Sequence, residues 1–216
     1  MPRFLVAQRA TQNDGSVPWW CTMIRNILTY FVPALVLTAV AWVALRHHES
    51  RAVEVGDEVP DFSLPLALSS PDASGKSLVR LADYRGRVLV LNFWGTWCPP
   101  CVAEAPSLEA FAQKVKPFGV EVLGASERKD LSSADADEDD PALAAFIDKY
   151  RLTYPIARDP VAGLAHRYGT FLFPETYIID RHGRLAEKII SNIDWDDPRM
   201  LAFVRKLAQP GQQPSN

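Results

Sequence analysis

Two cysteines separated by two prolines form the most chemically distinctive group in this chain. Cys98 and Cys101 follow directly on a strand-like apolar run that ends at Trp94. A two-residue spacing at the start of a helix lets the two sulfurs meet in a small disulfide ring. Cys98 would lie at the helix N-terminus, where free backbone N–H groups favour a thiolate, so it is the expected nucleophile. Cys101, one turn further along and more shielded, is the expected resolving thiol.

Other chemistries use the same cysteine spacing. Structural zinc sites need two more Cys or His ligands, and the chain offers Cys21, far upstream, and four scattered histidines. Covalent haem attachment needs His after the second cysteine, but that residue is Val102. A purely structural disulfide stays open, although a bridge between near neighbours closes a very short loop and stabilises a fold little. The pattern therefore favours a redox-active dithiol with no metal and no organic cofactor.

Composition sets the scale of the protein. The chain has 216 residues, of which 48% are hydrophobic and 10% aromatic, and this content is typical of a globular fold. We expect one catalytic domain with an appendage. The net charge of −3 provides no basic field for nucleic acid, so nucleic-acid binding is not expected.

The appendage is N-terminal. Residues 27–45 form 19 consecutive residues without a charge, about the length of a membrane-crossing helix. We predict a cytoplasmic segment at 1–26, a transmembrane anchor at 27–45 and a linker at 46–55. A cleaved signal peptide is the alternative, since Ala39-Val40-Ala41 fits a cleavage site. The basic residues slightly favour a cytoplasmic N-terminus. The catalytic domain would then lie in the periplasm, held by a single pass through the bacterial inner membrane.

Residues 56–208 carry the periodicity of an α/β domain. The pattern predicts a β-hairpin, a buried strand, the helix that starts near Pro99, a second strand, a helix, a short strand, another helix, a second hairpin and a last helix. The first hairpin covers 62–68 and 77–81, the buried strand 87–94 and the second strand 119–125. The later helices cover 141–150, 161–168 and 198–207, the short strand 154–157, and the second hairpin 176–180 and 185–190. An acidic run at 130–140 is expected to be a solvated loop, and residues 209–216 a disordered tail.

This order is that of a thioredoxin-like fold with an N-terminal β-hairpin extension and a central insertion. The run Val-Leu-Asn-Phe-Trp-Gly-Thr-Trp-Cys-Pro-Pro-Cys at 90–101, followed by Glu104 and Pro106, resembles the membrane-anchored TlpA/ResA-like thiol:disulfide oxidoreductases, which include the cytochrome c maturation reductases. The resemblance spans about residues 56–208. It implies a membrane electron donor of the CcdA or DsbD type, and clients such as apocytochrome c or other disulfide-bearing envelope proteins.

The resemblance also implies further site residues. A proline before the penultimate strand is cis in that family and faces the cysteines, and Pro174 occupies the matching place; spacing alone allows an ordinary trans proline. Phe173 departs from the smaller residues common there and would alter client preference. Glu104 matches an acidic residue near the active site, where it would take the proton of the resolving thiol or raise the pKa values of the thiols by like-charge repulsion; a solvent-facing helix position is the alternative. Trp97 is expected to shield one side of the dithiol.

Two other functions fit the fold. A thiol peroxidase has a Pro-x-x-x-Thr-x-x-Cys pattern, but residues 91 and 95 of this chain are Leu and Gly. A non-enzymatic, membrane-tethered module would bind clients through Phe173 and Pro174. The sequence leaves open the client, the electron donor and the direction of electron flow. The favoured prediction is an extracytoplasmic oxidoreductase that reduces client disulfides.

Overall fold

The computed structural model describes residues 19–48, 52–67, 70, 77–127, 141–159 and 162–210. The chain divides into two compact units after residue 49. The first unit contains helix α1 (Trp19–Asn26), a π-helical turn (Ile27–Phe31) and helix α2 (Val32–His48). Pro33 gives a physical reason for the π-helical turn, because it lacks an N–H and its ring crowds the preceding turn. None of the helices within the described ranges combines the length and apolar character needed to cross a membrane. The anchor at 27–45 therefore stays a prediction.

The second unit starts with the predicted N-terminal hairpin. Strands β1 (Ser63–Pro65) and β2 (Leu78–Arg80) pair antiparallel, with Leu64 opposite Val79. The Ala67 N–H donates to the carbonyl of Ile156 at 2.9 Å. This bond attaches the hairpin to one edge of the main sheet.

The main sheet has five strands in the order β5-β4-β3-β6-β7. Their bounds are β3 (Val88–Trp94), β4 (Val120–Ser126), β5 (Ile156–Arg158), β6 (Glu175–Ile179) and β7 (Leu185–Ile190). β3, β4 and β5 are parallel, whereas β6 is antiparallel to both β3 and β7. β3 is therefore central, and all seven of its residues are buried. β5 starts later than predicted, which fits the lack of a ladder N–H at Pro155.

The described part of this unit also contains four α-helices: α3 (Pro99–Val115), α4 (Pro141–Tyr150), α5 (Gly163–Tyr168) and α6 (Pro198–Ala208). Alternate residues of β3 point to opposite faces of the sheet. Val88, Val90 and Trp94 pack with α3, α4 and α6, while Leu89 and Phe93 pack with the hairpin and α5. The acidic run at 130–140 and the tail from residue 211 lie outside the described residues, so those two predictions stay open.

Candidate active site

Cys98 and Cys101 form a disulfide at the N-terminus of α3, with their Cα atoms 5.3 Å apart. Cys98 is the N-cap residue, and its Sγ accepts a hydrogen bond from the Cys101 backbone N–H at 3.3 Å. Pro99 and Pro100 have no N–H, so the Cys101 amide is the first backbone donor of the helix. The same amide is therefore placed to stabilise a Cys98 thiolate in the reduced protein.

The expected difference in exposure between the two cysteines is not seen. Cys98 and Cys101 are both only 3% exposed. The closed ring holds Cys98 in the same apolar cluster as Cys101, next to Trp94 and Ala105. The prediction that Cys101 is the more shielded cysteine is wrong for the disulfide form.

Trp97 comes directly before Cys98 in the chain and is 38% exposed. Its indole Nε1 donates to the backbone carbonyl of Glu127 at 3.1 Å, and its ring packs edge-to-face on Phe173 with centroids 5.7 Å apart. Gly95 makes this position possible, since a Cβ at residue 95 would lie 2.6 Å from Trp97 Nε1. Trp97 is thus held between the residue that follows β4 and the segment that contains Pro174.

The Phe173–Pro174 peptide bond is cis, as the resemblance implies. Phe93 pairs with Glu175, so Pro174 comes next to the end of β3, where the chain enters the redox motif. Phe171 and Leu172 are 77% and 64% exposed. These two exposed side chains, together with Trp97 and the half-buried Phe173, are here called the apolar rim.

Glu104 lies inside the protein and is only 4% exposed, so the solvent-facing alternative is wrong. Its Oε1 accepts a hydrogen bond from Asn92 Nδ2 at 2.9 Å. Burial raises the pKa of Glu104 to about 7, against the effects of the Asn92 amide, the Trp195 indole and the Ile193 backbone, which favour the charged form. A carboxyl that titrates near neutral pH can take up and release a proton during thiol chemistry.

Sequence reasoning missed the partners of these residues. Asn92 also donates to Thr176 Oγ1 at 2.9 Å, and the signal available was a polar residue inside an otherwise apolar strand. Glu127 comes directly after β4, and neither spacing nor motif connects it to the cysteines. Burial and the nearby charge of Asp159 raise the pKa of Glu127 to about 7. Glu127, whose carboxyl titrates near neutral pH, thus contacts Trp97 through its backbone carbonyl.

The residue after Pro174 carries a buried ion pair. Lys188 Nζ is 2.7 Å from Glu175 Oε1, and Tyr177 OH donates to the same oxygen at 2.8 Å. Their side chains are 3% exposed for Glu175 and 20% for Lys188. This pair fixes the start of β6 against β7, and with it the end of the Pro174 segment.

The chain is similar to known thiol:disulfide oxidoreductases in both sequence and structure. Residues 55–188 match the AhpC/TSA family. The thiol-disulfide oxidoreductase ResA of Bacillus cereus is 34% identical, with 77% of this chain and 90% of ResA covered. ResA of Oceanobacillus iheyensis is 33% identical over 85% of this chain and 86% of its own length. A crystal structure from Chlorobium tepidum, assigned as thiol:disulfide interchange protein DsbE, superposes with a TM-score of 0.59 at 25% identity, and covers 73% of this chain and 100% of that one.

Proposed function

Because the chain belongs to the AhpC/TSA family and, within it, to the ResA-like thiol:disulfide oxidoreductases, we propose that it reduces disulfide bonds of client proteins outside the cytoplasm. The observation that carries this proposal is the Cys98–Cys101 disulfide at the N-terminus of α3, with Glu104 buried one turn further along the same helix. A dithiol beside a carboxyl that titrates near neutral pH suits thiol–disulfide exchange.

The reaction has two exchange steps. In the reduced protein the Cys98 thiolate attacks one sulfur of a client disulfide, which forms a mixed disulfide and releases the other client sulfur as a thiolate. Cys101 then gives its proton to the Glu104 carboxylate and attacks the Cys98 sulfur. This closes the Cys98–Cys101 bond and releases the second client thiolate. Two electrons pass to the client, so a reductant must restore the dithiol, and a membrane electron donor of the CcdA or DsbD type is the proposed one.

The apolar rim is the proposed client-binding surface. Exposed aromatic side chains beside a reactive group are typical of protein-binding sites. The backbone of Phe173, before the cis bond, would pair with an extended client segment that holds the disulfide near Cys98. Apocytochrome c and other disulfide-bearing envelope proteins are the proposed clients.

We assign the catalytic domain to the extracytoplasmic side on the basis of residues 1–51. The uncharged run at 27–45 has the length of a membrane anchor, and three arginines precede it against two that follow closely. Disulfide-bearing clients are also concentrated in oxidising compartments.

A thiol peroxidase is the competing function on this fold, and the site disfavours it. The Thr of the peroxidase pattern would stand at residue 95, where a Cβ would lie 2.6 Å from Trp97 Nε1. The Pro of that pattern would stand at residue 91, where Leu91 is fully buried in β3. A peroxide-consumption assay should therefore show no turnover in the presence of a dithiol reductant.

Trapping of the mixed disulfide tests the proposal. Cys101→Ser should accumulate client proteins bound through Cys98, visible as adducts on non-reducing gels and released by dithiothreitol. Cys98→Ser is the matched control and should accumulate none. If adducts formed with Cys98→Ser and not with Cys101→Ser, Cys101 would be the nucleophile and Cys98 the resolving thiol. If the double Ser variant kept full function in cells, the protein would be a binding module and not a reductase.

A further inference from the structure

One edge of the five-stranded sheet is only partly covered by the chain. β7 is the last strand on that side. Residues 56–58 lie against its start, where the Gly56 N–H donates to the Leu185 carbonyl at 2.7 Å and the Leu185 N–H donates to the Asp57 carbonyl at 2.9 Å. From residue 186 to the end of β7, the described part of the chain places no further strand against this edge. The remaining edge is therefore open to pairing.

The open part of β7 directs the backbone groups of Lys188 and Ile190 away from the sheet. The Ser191 N–H donates to the Pro174 carbonyl at 2.9 Å, so the backbone of Ser191 faces β6. Backbone groups alternate in direction along an antiparallel strand, and those of Ile190 and Lys188 alternate with it outward and inward such that both face out. The Lys188 N–H donates to the side chain of its own neighbour, Glu187 Oε1, at 3.2 Å. An added strand can replace this local contact.

An apolar groove of about 430 Å³ lies between β7 and α6, beside this edge, and is here called the β7–α6 groove. Its apolar lining consists of four half-buried side chains that pack on the core beneath: Ile189, Ile193, Met200 and Phe203. Glu187 and Asp194 also line the groove, and both are exposed. Among the described residues neither has a cationic partner, whereas Asp197 forms an ion pair with Arg199 at 2.7 Å. The groove is thus apolar with two uncompensated negative charges.

We propose that the β7–α6 groove binds an extended segment of a partner protein, which pairs as an added strand with the outward backbone groups of Lys188 and Ile190. The groove-facing side chains of this segment are one apolar residue between two basic residues. The apolar residue contacts the apolar lining, and the basic residues meet Glu187 and Asp194. Residues 56–58 already pair with the start of β7 in the same way.

The charges favour a basic partner segment over a second copy of this chain. Two copies paired through β7 would bring the acidic residues of one copy near those of the other, and like charges oppose strand pairing. Residues 211–216 follow α6 and contain neither a basic nor a large apolar side chain. Ile190 lies opposite Glu175, the residue after Pro174, so the partner is held one strand away from the redox site. This docking function adds to the proposed thiol exchange and does not depend on it.

The probe is a blocked peptide, Thr-Lys-Thr-Ile-Thr-Lys-Thr, added to the oxidised full-length protein. Every second side chain of an extended peptide lies on one face, so its two lysines and its isoleucine face the groove together. Binding should shift the ¹H–¹⁵N amide resonances of Lys188 and Ile190 and should weaken with added salt. A control peptide with Glu in place of both lysines should bind at least about tenfold more weakly. Absence of binding, or equal binding of the two peptides, would overturn the inference.

Ile190→Pro removes the outward N–H, and proline is tolerated in an edge strand at such a position. Ile190→Ala is the matched control, since it keeps the N–H, and the side chain it shortens lies on the face opposite to Ile189. Peptide affinity should fall about tenfold in the proline variant and stay near that of wild type in the alanine variant. Equal affinity in both variants would overturn strand pairing.

Glu187→Lys tests the charge without changing the backbone, so it also serves if the proline variant does not fold. It should weaken binding of the lysine peptide and strengthen binding of the glutamate peptide. Unchanged affinities would contradict the role of Glu187. Sedimentation of the wild type without peptide tests the other occupant, and a dimer that Ile190→Pro dissociates would overturn the proposed partner. None of these assays involves Cys98 or Cys101, so failure of the reductase proposal would be seen separately, in the mixed-disulfide experiment.

Discussion

The Asn92 side chain connects Glu104 to β6, because its Nδ2 donates to both Glu104 Oε1 and Thr176 Oγ1 at 2.9 Å. These bonds join three elements: β3, which leads into the cysteine motif, α3, which begins with it, and β6, which follows Pro174. An amide is neutral, so it orients the carboxyl without providing an opposite charge. Burial therefore prevails, and the pKa of Glu104 rises to about 7.

Glu104→Gln should slow the release of client from the Cys98 mixed disulfide by about 10²-fold, because Cys101 loses its proton acceptor. The rate should also lose its pH dependence around neutral pH. Stopped-flow measurement of client release across pH 5–9 checks this. Glu109→Gln is the control, since Glu109 is also a buried carboxyl on α3 and binds Thr153 instead. Similar slowing in both variants would contradict the assignment.

Protein stability should depend on pH through the same carboxyl. The folded pKa of Glu104 is about 7 against 4.5 in its unshifted state, so the folded protein binds more protons between these two values. The contribution of Glu104 to the free energy of unfolding is then highest below about pH 4.5. It falls as pH rises to about 7, by about 3 kcal/mol. Urea unfolding at pH 5 and pH 8 should show that Glu104→Gln removes this fall. An equal fall in wild type and Glu104→Gln would show that other groups cause it.

Gly95→Ala should displace Trp97, because the new Cβ would lie 2.6 Å from Trp97 Nε1. We expect a loss of about 1–3 kcal/mol in the free energy of unfolding. The KM for reduction of an apolar disulfide peptide should rise, whereas the KM for glutathione disulfide should change little. Trp97→Phe is the comparison, since it removes the hydrogen bond to Glu127 but keeps an aromatic ring beside Phe173. Equal effects on peptide and glutathione disulfide would argue against the apolar rim as a client surface.

Lys188→Met should be strongly destabilising, because it leaves the buried Glu175 carboxylate without its ion pair. Breaking such a pair by removal of one partner costs about 3–5 kcal/mol. The double variant Glu175→Gln with Lys188→Met should recover much of this loss, since no unpaired charge remains. Urea unfolding of wild type, both single variants and the double variant gives the coupling energy. Additive effects would show that the contact between Lys188 and Glu175 contributes little.

The sequence predicts most of the fold because its elements have strong local patterns. The apolar run before Cys98 becomes the central strand β3, and the turn at residues 181–184 joins β6 and β7 as predicted. The resemblance also leads correctly to the cis bond before Pro174. At the first unit, residues 27–45 are divided between a π-helical turn and α2, a detail that hydropathy alone does not show.

The surroundings of the dithiol are harder to predict. Glu127 reaches the site from the end of a different strand, so it has no fixed spacing from the cysteines. Its contact with Trp97 depends on packing, which a linear pattern does not contain. Asn92 was visible as a polar residue in an apolar strand, but its partners Glu104 and Thr176 come from two other elements.

The reduction potential of the Cys98–Cys101 pair tests the central claim most directly. The full-length protein would be equilibrated with thiol:disulfide buffers, and the fraction of free thiol would be measured after alkylation. A reductase should give a value near that of thioredoxin, about −270 mV. A value near about −120 mV, typical of a strong oxidant, would contradict the proposed direction of electron flow. The absence of any reversible transition would contradict redox function itself.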